Sequence, residues 1–343
     1  MRAVLCTAWG SADLLKVDEV PAPRAGAGEV IVTVRACGVQ FVDNRIVAGQ
    51  SLLNTAKLDA HFGRSVQVAL PLVPGTEAAG VVEEVGAGVS SVNVGDRVLG
   101  TCLVGAFAEK VRFRELEVCR IPDEMSMHAA AGFYSAYFTA YYALVRRAGL
   151  TDQECLLVLG AGSGVGLATV EIGKALGARV LAAASSSEKL TLARTRGADT
   201  AICYGAGPLS PAEQKELVGS FKAAAGPGGI HVVADLVGGT YAEPAMRCLA
   251  FKGRYLSIGF AAGVPAIPMH VIFNKNGAIL GIEPVADHRL PGENPGLMRT
   301  LFRWFQEGRL QPQVTEVYPL ENAGTALRRL AERKSAGRIV LAV

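Results

Sequence analysis

The sequence predicts an α/β protein of two domains, a compact β-barrel or sandwich and a doubly wound parallel sheet. Residues 1–120 are rich in valine and glycine, and turn signals such as Pro74-Gly75 separate short alternating runs. From Ser126 onward, strand and helix patterns alternate, which is typical of a parallel sheet with helices on both faces. The length of 343 residues suits two domains.

Short runs of apolar residues predict the individual strands. The first domain is predicted to contain strands at Val30–Val34, Ala79–Val85, Asp96–Leu99 and Phe107–Val111. Six strands are predicted for the doubly wound sheet, at Leu156–Leu159, Arg179–Ala184, Thr200–Cys203, Ile230–Leu236, Gly253–Ile258 and Gly277–Ile282. The segment Met127–Ala148 has apolar and aromatic side chains at helical spacing, which predicts one helix.

The last 60 or so residues return to the pattern of the first domain, with two short strands and two helices. We therefore expect them to complete that domain, so that the nucleotide-type domain is inserted into it. The predicted boundaries are 1–125 with 284–343 for the first domain and 126–283 for the second.

A glycine-rich loop lies between the strand Leu156–Leu159 and a helix that is predicted to begin near Val165. Its four glycines let the backbone turn sharply and approach a ligand closely; they are Gly160, Gly162, Gly164 and Gly166. The unpaired N–H groups of the helix would then face the pyrophosphate of a dinucleotide. Ala161 and Ser163 depart from the strict G-x-G-x-x-G pattern. The alternative is a loop that only lets the helix pack closely on its sheet.

The next strand distinguishes NADPH from NADH. NAD-binding units carry an acid there for the ribose 2′-hydroxyl, but the strand Arg179–Ala184 is followed by three serines and no acid before Glu188. Ser185 and Lys189 suit a 2′-phosphate instead, through charge-assisted hydrogen bonds. The sequence therefore favours NADPH. Alternatively, Ser185 and Glu188 form only a capping box and Lys189 is a solvated helix residue.

Composition excludes several function classes. The net charge is +3 without a long basic run, which does not indicate nucleic-acid binding. No stretch of about 20 apolar residues predicts a membrane span, and we expect a cytoplasmic protein. The seven cysteines are scattered without a C-x-x-C pair, which indicates neither a disulfide framework nor a zinc knuckle.

Taken in order, several short stretches make the chain resemble the medium-chain dehydrogenase/reductase superfamily over nearly its whole length. Within it, the chain is most similar to the zinc-free NADPH:quinone oxidoreductases, the zeta-crystallin-like group. The stretches are Gly38–Asp43, Pro74–Gly80 with Val85-Gly86, Val94–Val98, Gly105–Glu109, Gly160–Gly166, Ala198-Asp199, Asp235–Gly238 and Ser335–Val340. The resemblance implies a GroES-like β-barrel catalytic domain, a Rossmann domain with a six-stranded parallel sheet, and a homodimer.

Zinc-dependent members of the superfamily hold the metal with a cysteine and a histidine, among other ligands. The resemblance places Gln40 at the cysteine position and Thr76 at the histidine position. Glutamine and threonine oxygens do not replace a thiolate and an imidazole for Zn²⁺. His61 lies in an extra segment between Gln50 and Leu70, where a surface-loop histidine is the simpler interpretation. The resemblance therefore implies that no metal is bound.

Without a Lewis acid, alcohol oxidation is disfavoured, but NADPH can still deliver hydride to an electron-poor acceptor. The resemblance implies a quinone or a similar α,β-unsaturated carbonyl as substrate. Gln40 and Arg45 stand at the family's two substrate-facing positions, where relatives carry asparagine and tyrosine. Gln40 offers an amide donor. Arg45 either adds a permanent cation or is a solvated helix residue.

The resemblance also implies the cofactor contacts. It assigns Thr139 to the nicotinamide amide, Ser185, Lys189 and Tyr204 to the 2′-phosphate, and Arg338 to the cofactor from the C-terminal strand. The residues that it assigns to the pyrophosphate are Ala161, Gly162, Ser163, Gly164 and Val165. Those that it assigns to the ribose and nicotinamide are Val237, Gly259 and Phe260.

Two alternative functions stay open at this point. One is reduction of 2-enoyl thioesters or alkenals, for which Arg45 would anchor an acidic group. The other is a non-catalytic NADPH-binding role, as a crystallin-like or RNA-binding protein, although the basic residues are dispersed.

Overall fold

The computed structural model describes residues 1–50, 69–283 and 291–343, and these form two compact units. The first unit takes its described residues from the ranges 1–135, 285–303 and 312–343, and the second from 136–284 and 304–311. Compared with the predicted boundaries, residues 126–135 belong to the first unit and 304–311 to the second. The extra segment between Gln50 and Leu70, with His61, lies almost wholly outside the described residues.

The first unit is built around a largely antiparallel sheet, with a short hairpin of β1 and β2 beside it. Its strand order is β14-β15-β3-β4-β5-β7, and β6 also pairs with β3. The bounds are β1 Arg2–Leu5, β2 Lys16–Glu19, β3 Glu29–Val39, β4 Glu77–Val85, β5 Arg97–Thr101, β6 Lys110–Arg114, β7 Val118–Arg120, β14 Val314–Pro319 and β15 Arg338–Ala342.

Most of the predicted strands of this unit are present within a few residues, but the strand predicted at Phe107–Val111 begins only at Lys110. Phe107 and Ala108 are fully buried, and Ala108 makes a single isolated bridge to Ala3. Burial of this connecting segment produced the same apolar pattern as a strand. The predicted starting residue of this strand, Phe107, was wrong for that reason.

The second unit contains a six-stranded parallel sheet with the order β10-β9-β8-β11-β12-β13. This confirms the predicted Rossmann architecture, because every neighbouring pair is parallel and the order reverses next to β8. The bounds are β8 Cys155–Leu159, β9 Arg179–Ala184, β10 Thr200–Cys203, β11 Ile230–Asp235, β12 Leu249–Ser257 and β13 Ala278–Gly281.

Helices flank both sheets. They are α1 Phe41–Val47, α2 Met127–Ala131, α3 Phe133–Tyr141, α4 Gly164–Ala175, α5 Ser187–Thr195, α6 Pro211–Ala225, α7 Ala242–Arg247, α8 Met269–Lys275, α9 Pro295–Gln306 and α10 Ala323–Ala331.

The single helix predicted over Met127–Ala148 is divided in the structure. It consists of α2, α3 and a π-helical turn at Tyr142–Arg147, and α2 ends at Gly132. A Cβ atom at Gly132 would lie 2.8 Å from Nη1 of Arg338. The glycine at the end of α2 thus leaves room for the side chain of Arg338, a contact that local periodicity does not reveal.

Gly38 allows a similarly close approach in the first unit, and this generates a stability prediction. A Cβ atom there would lie 2.3 Å from the carbonyl oxygen of Ala131, so Gly38→Ala must push β3 away from α2. We expect the free energy of unfolding to fall by about 1–3 kcal/mol, the usual cost of overpacking.

Gly219→Ala is the matched control for urea unfolding. Gly219 lies inside α6, and a Cβ atom added there would meet no neighbouring atom within 4 Å, so alanine should stabilise by about 0.5–1 kcal/mol. Equal effects of the two substitutions would contradict the packing of β3 on α2.

Candidate functional site

The glycine loop connects β8 to α4 at the carboxyl edge of the parallel sheet. Gly160 has φ +77°, and the N–H groups of Gly160 and Ala161 both donate to the carbonyl oxygen of Ala183, each at 3.0 Å. Ser163 caps α4, since its Oγ accepts from the N–H of Gly166 at 3.1 Å and donates to the carbonyl oxygen of Gly160 at 2.9 Å. The loop is therefore held from both sides.

Two of the glycines permit close contacts within this loop. A Cβ atom at Gly166 would lie 2.2 Å from the carbonyl oxygen of Gly160. A Cβ atom at Gly162 would lie 2.4 Å from Cβ of Lys189. The residue predicted to bind the 2′-phosphate thus packs directly against the loop predicted to bind the pyrophosphate.

The serine turn after β9 differs from the sequence prediction in one respect. Ser186, not Ser185, caps α5, because its Oγ accepts from the backbone N–H of Lys189 at 3.3 Å. The predicted capping box of Ser185 and Glu188 was wrong by one position. Ser185 is half-buried and follows directly after β9, so a role as a cap no longer competes with its predicted role toward a 2′-phosphate.

Tyr204 belongs to the same edge of the sheet. Its backbone N–H donates to the carbonyl oxygen of Ala184, the last residue of β9, at 3.1 Å. Its ring lies 4.8 Å from that of Tyr241, whose hydroxyl donates to the carbonyl oxygen of Gly205 at 2.7 Å. The structure therefore brings Ser185 and Tyr204 to neighbouring strand ends.

The loop after β11 is organised by a buried carboxylate that the sequence pattern did not assign to the site. Asp235 accepts from the N–H of Val237 at 2.6 Å and of Gly238 at 2.9 Å, and the hydroxyl of Tyr255 donates to its other oxygen. Its own carbonyl oxygen accepts from the N–H of Gly259 at 3.1 Å. Burial raises the pKa of Asp235. The sequence signal that could have identified Asp235 is an acidic residue at the end of an apolar strand.

Asp235 therefore positions the backbone of Val237 and Gly259, two of the predicted contacts with the ribose and nicotinamide. Phe260, which follows Gly259, is partly exposed at 40 %. Thr139 lies on α3 and is half-buried.

A second cluster lies in the first unit, around the buried carboxylate of Glu77 at the start of β4. Glu77 accepts hydrogen bonds from the backbone N–H groups of Tyr134 at 2.8 Å and Ser135 at 3.3 Å, in the first turn of α3. The amide Nε2 of Gln40 also donates to it. A carboxylate is favourable at a helix N-terminus, where N–H groups are unpaired.

Burial raises the pKa of Glu77 to about 8. The charge of Arg338 and the donors from Ser135, Tyr134 and Gln40 oppose that shift. The structure thus brings Gln40 and Arg338, both predicted site residues, to one carboxylate that the sequence had indicated only as part of a family stretch. Nothing in the local pattern distinguished Glu77 from a surface acid.

Asp43 forms the neighbouring buried group. Its carboxylate accepts from the backbone N–H of Gln40 at 2.7 Å, and Thr76 also hydrogen-bonds to it. Burial raises the pKa of Asp43 to about 7, while those hydrogen bonds oppose the shift. Gln40 is therefore held at its backbone by Asp43 and at its side chain by Glu77.

Arg45 lies on the last turn of α1. Its Nε donates to the carbonyl oxygen of Gln50 at 3.2 Å, so part of its guanidinium binds the backbone three residues beyond the end of α1. Gln40 and Arg45 are both half-buried.

Family models match both parts of the chain. The alcohol dehydrogenase GroES-like domain matches residues 26–147, and the zinc-binding dehydrogenase family matches residues 164–296. Among the described residues, no group of three or more histidine, cysteine, aspartate or glutamate side chains is arranged to hold a metal ion. No helix among them is both long and apolar enough to cross a membrane.

Named proteins and solved structures are similar over the full chain. Quinone oxidoreductase-like protein 2 of Bos taurus is 34 % identical, covering 100 % of this chain and 92 % of its own length. The Escherichia coli quinone oxidoreductase complexed with NADPH has a TM-score of 0.86 and 25 % identity, covering 100 % of both chains. A mycobacterial protein complexed with NADPH has a TM-score of 0.87 and 28 % identity, also covering 100 % of both chains.

A GroES-like unit joined to a Rossmann unit with a glycine loop defines an oxidoreductase enzyme of the medium-chain dehydrogenase/reductase type. The chain belongs to the quinone oxidoreductase group of that superfamily. This confirms the resemblance predicted from the ordered sequence stretches.

The raised pKa of Glu77 predicts a pH dependence of stability. The folded chain keeps a proton on Glu77 up to about pH 8, whereas an exposed glutamate in the unfolded chain has an ordinary pKa of 4.5. This contribution to the free energy of unfolding is therefore complete below about pH 4.5 and is lost as the pH rises toward 8. Glu77→Gln removes this contribution. The free energy of unfolding should then fall less steeply with rising pH, by up to about 1.4 kcal/mol per pH unit.

Urea unfolding between pH 5 and pH 8 measures the difference. Glu188→Gln, which removes an exposed carboxylate on α5, is the control and should leave the slope unchanged. Burial also raises the pKa of Asp43, which therefore contributes to the pH dependence in the same direction. Asp43 is unchanged in the wild type and in both variants, so it does not affect the comparison. Parallel pH profiles for the wild type and Glu77→Gln would contradict the protonated, buried state of Glu77.

Proposed function

We propose that this protein is an NADPH-dependent oxidoreductase that transfers hydride, without a bound metal, to a quinone or a similar electron-poor α,β-unsaturated carbonyl. The observation that carries the proposal is the packing of Lys189 against Gly162 of the glycine loop, next to a strand end without an acid. The NADPH complexes of the Escherichia coli and mycobacterial relatives support the choice of cofactor.

The residues of the second unit fit NADPH. The four glycines let the loop backbone approach the place where the pyrophosphate would lie, and the backbone N–H groups at the start of α4 would bind its oxygens. Ser185, Lys189 and Tyr204 would hold the 2′-phosphate, and the loop fixed by Asp235 would lie along the ribose. NADPH supplies a hydride when it is bound.

The zinc positions of the superfamily do not fit Zn²⁺ in this chain. The amide nitrogen of Gln40 faces Glu77, and Thr76 hydrogen-bonds to Asp43. An amide nitrogen and a hydroxyl do not supply the thiolate and imidazole that zinc prefers. The proposed reaction therefore needs an acceptor that is already electron-poor, since these side chains supply no Lewis acid to polarise it.

Gln40 is proposed to contact the acceptor. One amide hydrogen is committed to Glu77, which leaves the second hydrogen to donate to a carbonyl oxygen as negative charge develops on it. Asp43 and Glu77 fix the backbone and side chain of Gln40, so the donor is oriented before the acceptor binds. Arg45, held to Gln50, contributes a positive field near the same helix.

Two further parts of the proposal concern assembly and location. A homodimer paired through β13, the edge strand of the parallel sheet, follows from the family resemblance. A cytoplasmic location is proposed with it.

Lys189→Ala tests the choice of cofactor. Loss of one charge-assisted hydrogen bond to a 2′-phosphate costs about 1.5–3 kcal/mol, so the Kd for NADPH should rise by about 10- to 100-fold, while the Kd for NADH changes little. Fluorescence titration with both cofactors measures it. Lys16→Ala, which removes an exposed lysine of β2, should change neither value. An equal loss for both cofactors would show that Lys189 does not contact the 2′-phosphate.

The acceptor is tested by steady-state oxidation of NADPH against a panel of quinones, simple enones, alkenals and 2-enoyl thioesters. We expect turnover with the quinones or simple enones and a preference for NADPH over NADH. Rapid reduction of enoyl thioesters with no turnover of any quinone would overturn the acceptor assignment and support the alternative reductase activity.

A further inference from the structure

Three helices of the second unit, α6, α7 and α8, line a cavity of about 700 Å³. None of its lining residues belongs to the glycine loop, the serine turn or the loop after β11. Its volume lies in the range of sites for small molecules. It is therefore a separate candidate binding site.

The lining is strongly cationic. Lys215 and Lys222 come from α6, Arg247 from α7 and Lys275 from α8, while Glu243 is the one acid among the lining residues. Glu243 is already paired with Arg247, with an Oε1 to Nη2 distance of 2.5 Å. Within the described parts of the chain, no carboxylate lies within ion-pair distance of the three lysines. Three of the chain's positive charges thus line one small cavity, and a cleft lined by charges of one sign attracts ligands of the opposite sign.

Two of these lysines line the cavity from different helices, Lys222 from α6 and Lys275 from α8. Lys222 and Lys275 both act on the buried thiol of Cys248 and oppose the rise of its pKa to about 11 that burial causes. The thiol donates to the carbonyl oxygen of Val218, which itself lines the cavity, at 3.6 Å. The thiol beside the cavity lining therefore experiences the charge of both lysines.

The rest of the lining is mixed. Gln214, His270 and Asn274 are polar, whereas the apolar Val218, Pro244 and Val271 form what we call the floor. Val271 is 7 % exposed, Pro244 is buried and Val218 is half-buried, and all three line the cavity. An inorganic anion alone would not contact these three apolar side chains. A ligand that combines a polyanion with a flat or apolar part would contact both the lysines and the floor.

We propose that this cavity binds a phosphorylated small molecule of the nucleoside di- or triphosphate class. The ammonium groups of Lys222 and Lys275, with Lys215 at the side, bind the phosphate oxygens through charge-assisted hydrogen bonds. The floor formed by Val218, Pro244 and Val271 contacts the nucleoside. The site does not depend on the identity of the hydride acceptor.

Isothermal titration calorimetry tests this with ATP and inorganic tripolyphosphate as the probes. The full-length protein is first saturated with NADP⁺, so that adenine nucleotides do not report on the cofactor site. We expect both probes to bind, ATP more tightly. The double variant Lys222→Gln/Lys275→Gln should weaken both by about tenfold or more, with NADPH binding unchanged.

The control is Lys16→Gln/Arg24→Gln, which removes the same charge from exposed positions of the first unit. It should leave probe affinity within about twofold, because exposed charges outside the cavity are screened by salt. If the double variant does not fold, the single variant Lys215→Gln at an exposed position provides the comparison.

Several results would overturn the proposal. They are the absence of binding of either probe at millimolar concentration, an equal loss in the control variant, and ATP binding no tighter than tripolyphosphate. Tight binding of polyglutamate with no binding of ATP would instead assign the cavity to an acidic peptide.

Discussion

The close approach of backbone to backbone at the glycine loop is the constraint on which the second unit depends. Gly166 lies so near the carbonyl oxygen of Gly160 that any side chain would collide with it. This contact sets where α4 begins, and Ser163 closes the loop by capping the helix and binding Gly160. The free N–H groups of the helix are consequently presented at the carboxyl edge of the sheet, where the strand order reverses.

The same constraint extends to the neighbouring helix. Because Gly162 has no side chain, the stem of Lys189 packs against the loop, while the backbone N–H of Lys189 donates to Ser186 in the serine turn. The residues proposed to select the 2′-phosphate and those proposed to bind the pyrophosphate are thus parts of one packed structure. A change in the loop would be expected to alter both.

The first unit depends on buried carboxylates. Glu77 accepts donors from α3 and Gln40, and Asp43 accepts from the backbone of Gln40. These bonds satisfy groups whose burial would otherwise be costly, and burial still raises the pKa of both acids. The network gives Gln40 one orientation, which suits a donor that must be in place before negative charge develops.

Local patterns in the sequence were sufficient for the parallel sheet, since buried parallel strands such as Cys155–Leu159 and Arg179–Ala184 are short, apolar and bounded by glycine or serine. They were insufficient wherever a distant contact decides the structure. At Gly132, where α2 ends, the side chain of Arg338 approaches from more than 200 residues away, and the role of Glu77 depends on Gln40 and α3. For the cap of α5, three consecutive serines have the same side chain, and only the backbone conformation of Ser186 selects it. Residues of the candidate site were therefore predicted where chemistry is local, and missed where a polar group acts by positioning another.

The most direct test compares two fragments of the cofactor, adenosine 2′,5′-bisphosphate and adenosine 5′-monophosphate, as competitors that displace NADPH from the unmodified protein in calorimetric titrations. They differ only in the 2′-phosphate that Ser185, Lys189 and Tyr204 are proposed to bind. We expect the bisphosphate to bind at least about tenfold more tightly, as for one or more charge-assisted hydrogen bonds. Equal affinities, or tighter binding of the monophosphate, would contradict the proposed selection of NADPH.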